Sequence, residues 1–143
     1  MNGTRRANGF GMLELVVVVM LVAILLTVAM TGWRGQAAQQ RLRYGVAQVA
    51  TDLRQAHERS KAERAEYTVT FTAASSGYTI ARTSGGFREN AVLPEGVTTT
   101  ADLVIIFSAF GRPDAEHTVT VQNAAGSVKA SVNAAGGIIY QEP

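Results

Sequence analysis

The sequence predicts an α+β protein: a long N-terminal helix, membrane-spanning in its first half and amphipathic in its second, packed on a C-terminal antiparallel β-sheet head. Three observations carry this. Residues 15–30 are apolar without interruption except at Thr27. Leu42, Val46, Val49, Leu53 and Ala56 then recur at spacings of four, three, four and three, the stripe of one helical face. At Tyr67 the period changes to two, which is a half-buried strand.

The apolar run, counted from Phe10 to Met30, covers about 31 Å at ~1.5 Å per residue, enough to cross a hydrocarbon core. It is rich in valine, a mediocre helix former in water, but in lipid a lone segment must satisfy its own backbone hydrogen bonds and is helical. A secretory signal peptide would share the basic residues Arg5 and Arg6, yet the run is longer than a usual h-region and lacks an A-x-A site. An ordinary signal anchor explains everything except Glu14 and the residues just before it. A carboxylate costs about 2.5 to 3.5 kcal/mol at the bilayer centre and less near the interface, so Glu14 needs a partner or a use. No basic residue lies near it inside the run. Cleavage after Gly9 would place a new α-amino group on Phe10, four residues from Glu14, roughly one helical turn away. The same amine on a neighbouring chain would make the pairing a device for assembly.

Gly9, Phe10 and Glu14, set between a short basic leader and a valine- and leucine-rich run, resemble the type III signal of type IV prepilins and pseudopilins. The resemblance implies that a prepilin peptidase cuts after Gly9 and methylates Phe10, and that Glu14 directs assembly with other pilins or pseudopilins through the N-terminal helix. Gly11 and Met12 depart from the commoner threonine and leucine. The implied organisation is a leader over residues 1–9, a transmembrane helix over 10–32, an amphipathic helix over 33–66 and a pilin-like head over 67–143. The implied location is a single pass through the bacterial inner membrane with the head exported to the periplasm or cell surface. Charge does not set that orientation: Arg5 and Arg6 precede the span, and Arg34, Arg41 and Arg43 follow it.

Beyond Trp33, an interfacial anchor by position, the helix is expected to run to about Arg64. Its stripe is too short for a coiled coil and reads as packing on the protein's own sheet. Arg54, Arg59, Lys61 and Arg64 alternate with Glu58, Glu63 and Glu66, a solvated helix end with local pairs. His57 reads there as an exposed polar residue. Tyr67, Val69, Phe71 and Ala73 alternate with threonines; Ser75, Ser76 and Gly77 turn the chain into a hairpin partner over residues 78–82. Residues 83–90 read as a flexible loop. The apolar segment from Leu103 to Phe107 is expected at the centre of the sheet. The tail repeats Asn-Ala-Ala-Gly at Asn123 and Asn133, between strands expected over 117–122, 127–132 and 138–140, a meander. The head is similar to GspH/FimT-type minor pseudopilins in residues 52–56, the Leu93-Pro94-x-Gly96-Val97 turn, Ile106-Phe107 before Gly111-Arg112, and a closing strand after Gly136.

Composition excludes more chemistry than it suggests. There is no cysteine, hence no disulfide, thiolate metal site or cysteine nucleophile. The leader holds two of the thirteen basic residues, so eleven remain against eleven acids and bulk charge does not favour nucleic acid. Some FimT-type pilins take up DNA through basic residues near the C-terminus; here the last third holds only Arg112 and Lys129, and that activity does not carry over. His117 near Asp114 and Glu116 lacks the convergent ligands of a divalent metal site. No G-x-S-x-G, phosphate loop or H-E-x-x-H is present, so no enzyme and no cofactor is expected.

Overall fold

A computed structural model describes residues 11–141, without the side chains of 30–34. It separates into two units with the boundary after Gly35. In the first, helix α1 (Met12–Glu63) begins, and its segment Met12–Ala29 has a mean hydropathy of 2.9 and is long and apolar enough to cross a membrane. The second unit carries the remainder of α1 and the head.

The predicted stripe is buried throughout: Leu42, Val46, Val49, Leu53 and Ala56 join Ala50 in one core with the inward residues of the strands. The helix ends at Glu63 because Arg64 turns left-handed (φ 48°), and Ala65 N–H caps Ser60 C=O at 3.1 Å.

The head contains two four-stranded antiparallel sheets among the described residues, where one sheet was expected. Sheet A has the order β3-β2-β1-β5, built from β1 (Tyr67–Phe71), β2 (Gly77–Arg82), β3 (Arg88–Val92) and β5 (Leu103–Phe107). Sheet B runs β4-β6-β7-β8, from β4 (Thr98–Thr99), β6 (His117–Asn123), β7 (Gly126–Val132) and β8 (Ile138–Tyr140). Alternation sorts the faces: Tyr67, Val69 and Phe71 point into the core with Tyr78, Ile80, Ile105 and Phe107, while Thr68 and Thr70 are turned outward. The meander appears as expected in β6, β7 and β8.

Two further expectations need correction. Residues 88–90, read as loop, belong to β3, which pairs with β2 from Ala81↔Arg88 to Gly77↔Val92. The apolar strand β5 lies at the edge of sheet A, not its centre. The C-terminal end of its open side is closed by the turn that follows: Asp114 Oδ1 accepts Ile106 N–H at 3.1 Å, Asp114 N–H donates to Ile106 C=O at 2.9 Å, and Phe107 bridges Pro113. An edge protected by a loop tolerates the same apolar composition as a central strand.

Candidate functional site

Glu14 occupies the first turn of α1, where an acid meets the positive end of the helix dipole. Its N–H bonds Gly11 C=O at 2.9 Å. Around it the side chains from Met12 to Val28 stand in the open: Leu13 is 80% exposed and Leu25 68%. An apolar surface on every side of a helix calls for lipid or other helices as its solvent. Thr27, the polar interruption, returns its hydroxyl to Ala23 C=O at 2.8 Å and so presents no unsatisfied donor to an apolar phase. Gly9 and Phe10 lie outside the described residues, as does the side chain of Trp33.

In the head, the polar side chains of α1 serve contacts with the sheets more than local helix pairs. Lys61 does pair with Glu58 at 3.2 Å. Arg59, however, reaches Glu89 at 3.9 Å and lies over the Phe87 ring at 4.3 Å; Glu63 meets Arg82 at 3.7 Å; Arg54 donates to Ile138 C=O at 3.0 Å. Asp52 accepts a hydrogen bond from the hydroxyl of Tyr78. Burial raises the Asp52 carboxyl above its ordinary pKa, the Tyr78 bond opposes that shift, and Glu89 adds to it. Burial also pushes the Tyr78 phenol up, and the Asp52 carboxylate it faces pushes the same way.

His57 is not the exposed residue its charged neighbours suggested. Its side chain is 17% exposed and its ring sits 5.7 Å from that of Phe107. Gly111 and Gly136, both left-handed, approach it closely: a Cβ built on either would lie 2.9 Å from Nε2. The helix, the turn after β5 and the β7–β8 turn therefore meet at one imidazole.

Both Asn-Ala-Ala-Gly turns are tied by their asparagine. Asn123 Oδ1 accepts Ala125 N–H at 2.8 Å and its amide donates to Ala38 C=O of the helix at 2.6 Å. Asn133 Oδ1 accepts from Ala135 at 3.0 Å and Gly137 at 2.7 Å. His117 and Asp114 form a pair at 2.9 Å. Burial acts to raise the Asp114 carboxyl, but the Ile106 N–H and His117 outweigh it and hold the pKa below its ordinary value. Among the described residues no three histidines or acids gather as metal ligands.

No family model and no curated protein matches the chain. Among solved structures it is similar to the crystal structure of the type IV minor pilin FimU of Pseudomonas aeruginosa, with a TM-score of 0.58 and 15% identity over 71% of this chain and 89% of that one. At that identity the likeness is one of fold, and the fold is the pilin-like α+β arrangement expected from the sequence.

Proposed function

We propose that this chain is a structural minor pilin or pseudopilin subunit. A prepilin peptidase removes residues 1–9 and methylates Phe10, and the processed chain joins other pilins in a type IV pilus or a type II secretion pseudopilus. The observation that supports this best is Glu14, an acid in the first turn of a helix whose apolar side chains stand exposed from Met12 to Val28. Such a helix is suited to leave lipid for a bundle of like helices, because both environments solvate its apolar surface. Glu14 then supplies the one specific contact in that surface, to the α-amino group of Phe10 on a neighbouring subunit. The processing chemistry belongs to the peptidase, while the head is exported and adds the surface that distinguishes this subunit from others.

Replacing Glu14 by alanine in cells that make the filament tests the assembly role. Cleavage continues, and the Glu14→Ala protein stays in the membrane fraction, falling at least about tenfold in the filament fraction, since losing one charge pair in a low-dielectric setting exceeds 1.4 kcal/mol. Normal recovery of the variant with filaments would contradict it.

A further inference from the structure

Among the described residues every sheet edge in the head is at least partly closed, and the edges differ in how long a stretch stays open. β5 is covered at its C-terminal end by the turn through Asp114. β4 is two residues long, and its Thr99 backbone is held by Ala74 and Ser75 at 2.8 and 3.0 Å. β8 has three residues, and Arg54 caps its Ile138 carbonyl at 3.0 Å. β3 is open at Arg88 and Asn90.

Leu93 N–H bonds Ser76 C=O at 2.7 Å, and Arg82 N–H bonds Phe87 C=O at 3.0 Å. These two bonds bracket the β2–β3 ladder, so Glu89 and Ala91 turn their backbone groups to β2 and Arg88, Asn90 and Val92 turn theirs away. The Val92 carbonyl is taken by Gln48 Nε2 at 3.1 Å, which marks where the closed part of the edge begins. At Arg88 and Asn90 the outward N–H and C=O groups have no protein partner among the described residues.

The side chains above this open stretch are selective in charge. Glu89 faces the helix and is matched by Arg59. Arg88 has no acid within ion-pair distance among the described residues. It borders a groove of about 500 Å³ on the outer face of sheet A, lined also by Thr68, Thr70, Thr72, Thr79 and Asn90 and by no acid. An unpaired arginine on an edge repels a basic strand and gains from an acidic one.

We propose that β3 receives an extended acidic peptide segment of a partner protein as a fifth strand of sheet A. Arg88 and Asn90 supply four backbone hydrogen bonds, the geometry of strand addition at a free edge. An acidic side chain opposite Arg88 falls on the same face at about 5 Å and pairs with it, and its neighbours lie over the threonine groove. The open edge is a property of the head and holds whether or not the chain enters a filament, so failure here leaves the filament reading standing.

The test uses the full chain in neutral detergent micelles and two fluorescent peptides, acetyl-Val-Glu-Val-Glu-Val-amide and its lysine counterpart, followed by anisotropy at low salt and by amide exchange. The glutamate peptide binds, the lysine peptide binds at least about tenfold more weakly, and Arg88→Glu reverses that order. The amides of Arg88 and Asn90 become protected in the complex. Arg88→Gln, with an unchanged unfolding midpoint, loses the discrimination alone. No binding, equal binding of the two peptides, or binding that leaves those amides exchanging freely would overturn the proposal.

Discussion

At the scale of single residues, the junction at His57 shows how a side chain can be hidden by its sequence neighbours. Flanked by Ala56, Glu58 and Arg59, it reads as a surface residue, yet it is a wedge between three elements. The sequence held Gly136 in a turn between strands and Gly111 after an apolar strand, but their close approach to a helix depends on tertiary packing. Gly136 is left-handed at φ 84°, and an added Cβ would lie 2.9 Å from His57 Nε2 and 3.1 Å from Gly111 C=O. Backbone strain and crowding add, so Gly136→Ala is expected to cost about 1 to 3 kcal/mol in urea unfolding. An alanine tolerated there without loss would mean the two turns do not pack on the imidazole as described. Arg54 and Gln48 teach the same lesson. Their helical positions were legible, but their partners, the carbonyls of Ile138 and Val92, were not, because a carbonyl leaves no mark in a sequence pattern.

At the scale of elements, periodicity worked where a strand buries one face and failed where it does not. The stripe of α1, the alternation in β1 and the meander of sheet B were all readable, since each follows from burial on one side. β3 was missed because Arg88, Glu89 and Asn90 carry no apolar alternation; its register comes from β2 alone. β5 was misplaced because a fully apolar run describes any strand covered on both sides, and here a turn covers the C-terminal end of its edge. That turn depends on Asp114, whose carboxyl is held below its ordinary pKa of 3.8. A depressed native pKa contributes stability that is fully present above 3.8 and is lost as pH falls through the native value. Asp114→Asn should therefore lower stability at pH 7, by no more than about 1 kcal/mol because the carboxylate is partly exposed and screened. The gap between variant and parent should close in acid, measured by unfolding at pH 7 and again below pH 3.8. A gap that is independent of pH would assign the loss to the bond geometry and not to the charge.

At the scale of the whole molecule, the apolar helix, the amphipathic helix and the β-rich head were legible as a sequence of three regimes of hydropathy, and the likeness in fold to a type IV minor pilin agrees with that order. What the patterns did not contain was the division of the head into two sheets. Strand lengths and turns look alike whether a sheet continues or stops, and here it stops where β4 is cut to two residues and pairs with β6 instead of β5. The proposed function rests on a smaller set: in that proposal Gly9, Phe10 and Glu14 are what would separate a filament subunit from a protein merely anchored by the same apolar run. They make one measurement decisive. The intact mass of the protein, purified from cells that contain a prepilin peptidase, should correspond to a chain that lacks residues 1–9 and begins with a methylated Phe10; a mass that retains Met1 or Arg5 in the presence of the peptidase would contradict the account.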